Sequence, residues 1–510
     1  MFKVIQKRSL GGCLTCKRRK KKCDERKPFC RRCELGNFHC QGYSPAYASH
    51  NGESPSTTEA PADLTYWDSR TPAMHLGVEC SSLESLDPLD LPLNYQNEVE
   101  RSPPTPALFQ EVRNFLASIP SGVVLDPVIL EDATSLIVSQ YMKLSQQIMF
   151  KLPSGSVAPG LLWRIDNSEI TRWSMYLSAR VLNDVWSGND AQKYSEWIFR
   201  LYQQILEFSP PTELGPNLEG RLGGLHDLVH LVFMVCGTTV GYSLFKDSAP
   251  AFLQLAVLYP NIWSDDSTIS IPEAIQSPRY EITQFIICDN IVSLTLGTPP
   301  LLNYNTTPSW ADEAPSHYQL TYGFPVGILL LFAKVNARRT LRLTGEVGQS
   351  QEDWQDLVEH LNHWNPTPDF TDGPNNNIAR FAVQEVWRQA AIIYLYMGME
   401  EVNSADLRIE NAVRQVVQLA SIFQTDSPLE LHLMIPYLIA GAVARQEKHR
   451  AVLRGKLTSE MVRKGHMLAL RGSDFIAVLD HLWHGAGSEG RPIMWEDYVQ
   501  SRCMVLPIEW

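Results

Sequence analysis

Six cysteines lie within residues 13–40, which read CLTCKRRKKKCDERKPFCRRCELGNFHC. The unit Cys-x2-Cys-x6-Cys occurs twice in this stretch, so each half supplies three sulfurs, one fewer than a tetrahedral zinc site needs. Two zinc ions need eight ligand positions, and six cysteines fill them only if two sulfurs bridge. The spacing therefore predicts two Zn²⁺ ions per chain, and the symmetry suggests the first cysteine of each half as the bridging ligands. The predicted metal ligands are Cys13, Cys16, Cys23, Cys30, Cys33 and Cys40.

A disulfide framework is the alternative interpretation of crowded cysteines, and the cell compartment decides between the two. Residues 1–8 read MFKVIQKR, which contain no apolar stretch of signal-peptide length. We therefore expect a reducing compartment, in which metal ligation is favoured. A module this small has almost no apolar core, so the metals should supply most of its folding free energy.

The two halves of the module differ in charge. Every residue between the second and third cysteines is basic, whereas residues 34–39 read ELGNFH. The first half is thus suited to phosphate groups and base edges of double-stranded DNA, and we expect the second half to pack. The predicted DNA-binding residues are Lys17, Arg18, Arg19, Lys20, Lys21 and Lys22.

The charge of the whole chain hides this asymmetry. The formal net charge is −12, but residues 1–40 hold 13 Lys and Arg against three acidic residues. A basic N-terminal segment on an otherwise acidic chain indicates that residues 1–40, the basic head, bind a polyanion and that the rest of the chain does not.

The module resembles the DNA-binding domain of fungal zinc binuclear-cluster (Zn2Cys6) transcription regulators. The resemblance covers the six cysteines, the basic first loop, Asp24 and Pro28. It implies that Cys13 and Cys30 bridge the metals, that Lys20 and Arg19 contribute most to DNA contact, and that a CGG-type triplet is read in the major groove. Residues 385–399, EVWRQAAIIYLYMGM, resemble the fungal-specific regulatory domain that accompanies this module.

The rest of the chain divides by composition. We predict a Zn2Cys6 DNA-binding domain at 11–42, a disordered acidic linker at 43–107 and an all-helical regulatory domain at 108–510, in one or two lobes. Apolar residues recur at three- and four-residue steps near 383–397 and 413–423, and segments near 127–150, 170–206, 225–245, 275–296, 325–344 and 459–484 look similar. The run 83–93 interleaves acids with leucines, as activation segments do.

The helical part lacks a complete catalytic motif, so we expect no enzyme. His226 and His230 have the spacing of a zinc-binding helix, but Asp227 stands where a metalloprotease has Glu and no third ligand follows. We expect both to lie on a buried helix, and His481 and His484 likewise not to bind metal. The apolar run 228–245 is borderline for a membrane span, and we expect a buried helix there and no membrane contact.

The leading hypothesis is a nuclear transcription regulator. The transcription machinery or a small-molecule effector would bind the helical domain. No heptad array follows residue 40, so a homodimer stays open. The alternative hypothesis is a helical scaffold or small-molecule sensor whose basic head binds nucleic acid nonspecifically.

Overall fold

The computed structural model describes residues 13–19, 21–26, 30–35, 127–152, 157–207, 216–264, 267–306, 317–345, 355–364, 374–423, 427–459, 462 and 470–508. The chain divides into two compact units, one within residues 1–84 and the other within residues 85–510. The linker predicted at 43–107 and the acidic-leucine run at 83–93 lie outside the described residues.

The first unit contains two short helices, α1 (Leu14–Arg18) and α2 (Arg31–Leu35). The first half of the second unit, up to the small sheet, contains α3 (Pro127–Ile148), α4 (Ala158–Asn167), α5 (Glu169–Trp186), α6 (Ser195–Glu207), α7 (Pro216–Cys236), α8 (Thr238–Asp247) and α9 (Ala249–Ala256). It continues with β1 (Ile269–Ser270), α10 (Ile271–Gln276), α11 (Tyr280–Leu296), β2 (Tyr304–Asn305), α12 (His317–Tyr322), α13 (Val326–Leu343) and α14 (Gln355–His363). The last described helices are α15 (Pro374–Met399), α16 (Leu407–Ala420), α17 (Met434–Val443), α18 (Glu447–Leu457), α19 (Gly472–His484) and α20 (Trp495–Val505).

Helix α15 shows how the apolar periodicity builds the core. Its residues at three- and four-residue steps, Val383, Val386, Trp387, Ala390 and Tyr394, are all fully buried. The Trp387 ring stacks on Phe324 with ring centroids 4.0 Å apart. The periodic stripe read from the sequence is therefore the face that packs against the rest of the domain.

One continuous core runs through the described part of the helical unit, from Phe150 to Tyr498, with a small satellite that includes Ile137 and Met175. Helix α11 lies at its centre, because nearly every residue from 281 to 296 is buried. A helix buried all round needs no amphipathic pattern. Because this core is continuous, the described helices of this unit form one lobe rather than two.

Several predicted helical segments are broken where the chain turns. The segment 170–206 is interrupted between α5 and α6, where Gly188 has φ +76°. The apolar run 228–245 is split at Gly237, with φ +95°. Positive φ suits glycine, which carries no Cβ, so the glycine allows a tight break that periodicity alone does not mark. Among the described helices, none combines the length and apolarity that a bilayer-spanning segment needs.

The only strands in the described residues form a two-residue parallel ladder, Ile269 with Tyr304 and Ser270 with Asn305. Buried Asp289 of α11 fixes the loop before β2: it accepts hydrogen bonds from the backbone N–H groups of Leu301 and Leu302, at 2.8 and 3.2 Å, and from the Tyr304 hydroxyl, at 2.7 Å. The predicted fold class, a small cysteine-rich module and a large helical domain, is confirmed.

Candidate metal centre and nucleic-acid interface

The first unit is organised around its cysteines. The five that the structure describes have at most 4% of their surface exposed, and together they form the buried core of this unit: Cys13, Cys16, Cys23, Cys30 and Cys33. The sixth predicted ligand, Cys40, lies outside the described residues. Because five thiols in so small a unit are buried together, the module has a sulfur core where a larger domain has an apolar one.

The two Cys-x2-Cys pairs face each other. Cys13 Sγ lies 3.5 Å from Cys30 Sγ and 3.8 Å from Cys33 Sγ. Cys16 Sγ lies 3.6 Å from Cys30 Sγ and 3.7 Å from Cys33 Sγ. Two thiolates on one tetrahedral zinc, each with a Zn–S bond of about 2.3 Å, are separated by about 3.8 Å. The observed separations are therefore those of one compact thiolate cluster, in which Cys16 lies as close to the second pair as Cys13 does.

Cys23 belongs to the same group. The Sγ atoms of Cys13, Cys16, Cys23 and Cys30 all lie within 4.8 Å of one another. Cys13 and Cys30 thus combine with Cys16 and Cys23 in one four-sulfur set, and each also lies beside the second half of the module. The assignment of Cys13 and Cys30 as the bridging ligands stays a prediction.

Backbone N–H groups point at the sulfurs. Cys16 N–H donates to Cys13 Sγ at 3.4 Å, and Cys33 N–H donates to Cys30 Sγ at 3.3 Å. Cys23 Sγ accepts from the N–H groups of Cys13, at 3.3 Å, and Glu25, at 3.4 Å. Such donors stabilise thiolate charge and fix the orientation of metal ligands. The donor set is therefore suited to a soft divalent cation such as zinc.

Asp24 connects the two halves. Its carboxylate accepts hydrogen bonds from the backbone N–H groups of Arg31, at 2.9 Å, and Arg32, at 3.1 Å, in the first turn of α2. Although desolvation raises the pKa of Asp24, the hydrogen bonds from Arg32 and Arg31 outweigh it and hold the pKa below its usual value. Glu25, the next residue, has φ +57°, so the chain turns sharply directly after this contact.

The basic run begins in α1. Lys17, Lys21 and Lys22 are exposed and Arg19 is half-buried, so at least three ammonium groups face solvent beside the cysteine core. Arg18 lies at the end of α1, and Lys20, the predicted base contact, lies outside the described residues. The division of these residues between base and phosphate contacts stays a prediction.

The second half also presents charge, which the sequence analysis missed. Arg31 and Arg32 of this half are exposed, as is Arg26 in the loop that joins the halves. Leu35 of α2 is 78% exposed, so at this position the second half does not pack as expected. The signal in the sequence is the Arg-Arg pair before Cys33, which places two basic residues between the fourth and fifth cysteines.

The histidine motif of the helical domain lies on a buried helix, as expected. His226 of α7 is buried and stacks on Phe285, with ring centroids 5.6 Å apart, and neither of its ring nitrogens has a hydrogen-bond partner among the described residues. His230 Nδ1 lies 2.9 Å from the carbonyl oxygen of His226. His481 and His484 are exposed on α19. Among the described residues, only cysteines of the first unit are grouped closely enough to hold a metal.

Comparison with known families matches both parts of the chain. Residues 11–47 match the fungal Zn(2)-Cys(6) binuclear cluster domain. Residues 267–506 match the fungal specific transcription factor domain. The resemblance inferred from the six cysteines and from residues 385–399 is confirmed, and the cofactor of the first domain is a pair of zinc ions.

The curated relatives match over short stretches. The transcriptional regulatory protein moc3 of Schizosaccharomyces pombe is 34% identical over 85 residues, 17% of this chain and 16% of the relative. The aspercryptin biosynthesis cluster-specific transcription regulator atnN of Emericella nidulans is 41% identical over 58 residues, 11% and 10% of the two chains. White-opaque regulator 2 of Candida albicans is 51% identical over 41 residues, 8% and 9%.

These matches span less than a fifth of each relative, and no solved structure gives a significant match. The two domain matches, in the order Zn2Cys6 module and then helical domain, carry the assignment. The chain therefore carries a fungal Zn(2)-Cys(6) binuclear cluster domain followed by a fungal specific transcription factor domain.

Proposed function

We propose that this chain is a zinc-dependent, sequence-specific regulator of RNA polymerase II transcription that binds double-stranded DNA in the nucleus. The observation that carries the proposal is the set of exposed cationic side chains, Lys17, Lys21 and Lys22, beside a buried five-sulfur core. Ammonium groups on a rigid small module can neutralise phosphates, and the metal-held helix α1 fixes their spacing. The helical domain acts as regulator rather than enzyme.

The ligand assignment is part of this proposal. Cys13 and Cys30 bridge the ions, Cys16 and Cys23 complete the first site, and Cys33 and Cys40 complete the second. The short separation of Cys13 Sγ and Cys30 Sγ, 3.5 Å, supports the assignment, as does the four-sulfur set that contains both. Bound zinc supplies folding free energy to a module without an apolar core.

Binding-site selection on random duplexes with the full-length protein tests the function. We expect an enriched CGG-like triplet, singly or paired. The selection also reports the half-site spacing and the oligomeric state on DNA. A helical scaffold or sensor with a nonspecific basic head would yield no enriched sequence, and that result would refute the proposal.

Two substitutions test which residues of the basic run contact bases and which contact phosphates. We expect Lys20→Ala to weaken binding to the selected site by about 1–3 kcal/mol and to relax discrimination at one base pair. Arg18→Ala should weaken binding to selected and scrambled duplexes equally, because a phosphate contact carries no sequence information. Equal losses on both duplexes for Lys20→Ala would show that Lys20 does not contact a base.

A further inference from the structure

The residue before the second helix of the module, Cys30, caps only one of the first N–H groups of that helix, that of Cys33. Helix α2 is only five residues long, and a helix of that length is not stable alone. Its first N–H groups have no partner inside the helix and need acceptors from elsewhere. Cys33 N–H finds its acceptors at Cys30, the carbonyl oxygen at 3.1 Å and Sγ at 3.3 Å.

The acceptor for the preceding two N–H groups comes from the other half of the module. Asp24 Oδ2 accepts from Arg31 N–H, and Asp24 Oδ1 accepts from Arg32 N–H, so both carboxylate oxygens are used. Asp24 is seven residues before Arg31 in the chain, so these two hydrogen bonds join the two halves of the module, unlike an ordinary N-cap. We call this pair of hydrogen bonds the carboxylate tie. It fixes the start of α2, and therefore Cys33 on that helix, relative to Cys23.

The segment that carries Asp24 is itself held in place. Cys23 Sγ, directly before it, accepts two backbone hydrogen bonds, and Glu25, directly after it, turns the chain in a left-handed conformation. In the first half, α1 has no acidic residue in its first turn, and its N-cap is Cys13, whose Sγ accepts from Cys16 N–H.

We propose that Asp24 is a positioning residue that docks α2 and its ligand Cys33 onto the first half, and thereby controls how firmly the second zinc site is held. Asp24 is exposed, and its carboxylate accepts from two backbone N–H groups of α2 and also interacts with the side chain of Cys30, directly before that helix. The inference rests on the proposed ligand assignment, in which Cys33 serves the second site and Cys16 and Cys23 serve the first. It follows that loss of the carboxylate tie should weaken zinc binding at the second site more than at the first.

The test is the release of zinc from full-length protein to a chromophoric chelator, followed by stopped-flow absorbance. We expect Asp24→Ala to release one of its two zinc ions about tenfold faster than the unsubstituted protein, as the loss of a helix cap implies. The second ion should leave at nearly the unsubstituted rate. Asp24→Asn, which keeps one acceptor oxygen, should be intermediate.

Glu25→Gln is the matched control, because it removes the same charge from the adjacent position without removing the contacts to α2. We expect it to release zinc at the unsubstituted rate. The proposal is overturned if Asp24→Ala changes neither phase, if it accelerates both phases equally, or if Glu25→Gln has the same effect. DNA is absent from the assay, so failure of the proposed DNA-binding function leaves its outcome unchanged.

Discussion

The buried histidine of helix α7 makes a quantitative prediction about acid stability. His226 is 3% exposed, its ring stacks on Phe285, and in the part of the chain that the structure describes neither nitrogen has a hydrogen-bond partner. Burial, aided by the nearby charges of His230 and Arg164, lowers the pKa of His226 to about 3. The folded protein therefore keeps this ring neutral at a pH where the unfolded chain, with an ordinary pKa of 6.5, has already taken up a proton.

The sign follows from proton linkage. Between pH 6.5 and pH 3 the unfolded state binds more protons at this position than the folded state, so stability is lost as the pH falls through that window. Each pH unit inside the window costs about 1.4 kcal/mol. Between pH 7.5 and pH 5.5, His226 alone should therefore remove about 1.4 kcal/mol from the free energy of unfolding.

The substitution His226→Phe keeps a ring against Phe285 and removes the titrating group. Any packing cost of the larger ring is independent of pH, so it cancels when two pH values are compared. We expect the free energy of unfolding of the variant, relative to the unsubstituted protein, to rise by about 1.4 kcal/mol on going from pH 7.5 to pH 5.5. Urea denaturation followed by circular dichroism at 222 nm measures it.

Exposed His481 on α19 provides the control, since His481→Phe should leave the difference between the two pH values unchanged. The reasoning about His226 is refuted if His226→Phe and the unsubstituted protein lose the same stability on acidification. It is also refuted if His481→Phe shows an equal gain.

Three further predictions concern the loop before β2, the aromatic core and the metal. Asp289→Asn leaves one acceptor oxygen for three donors, so we expect a loss of about 2 kcal/mol in urea denaturation. Burial raises the pKa of Asp289 to about 7, so the unsubstituted protein loses stability as the pH rises from 4 to 7. The difference in unfolding free energy between the unsubstituted protein and the variant should therefore become smaller as the pH rises, and a difference that becomes larger would contradict this. Trp387→Ala should cost about 3–5 kcal/mol, whereas Trp197→Ala, at a side chain 52% exposed, should cost under 1 kcal/mol, and equal costs would show that Trp387 is not a core residue. Removal of zinc with a chelator should abolish binding to the selected duplex while the ellipticity of the helical domain is kept; retained binding would argue against a zinc-dependent head.

The metal module could be predicted from the sequence because its chemistry is local. The ligand count follows from six cysteines and the coordination number of zinc, and the cysteine separations of 3.5–3.8 Å agree with it. The tie from Asp24 to α2 could not be predicted, since nothing in the spacing says which way that carboxylate points. The exposed arginines at 31 and 32 could have been recognised from charge alone.

Helices of the large domain could be predicted from apolar periodicity where only one face of the helix is buried, as in α15. Helices that are buried on all sides were harder to predict. Helix α17 (Met434–Val443) was not predicted, because every residue from 434 to 443 is buried and no polar face marks a period. The breaks at Gly188 and Gly237 depend on positive φ, which a glycine permits but does not require.

The sequence by itself determined the zinc stoichiometry, the sign of the charge on the head and the helical class of the body. These follow from ligand number, ionisable side chains and periodicity, all of which can be counted along the chain. Only the tertiary structure decided that His226 is buried against Phe285, that Asp289 holds a loop, and that Asp24 joins the two halves of the metal module. Desolvation and hydrogen bonding depend on which distant residues surround a group, and folding alone brings those residues together.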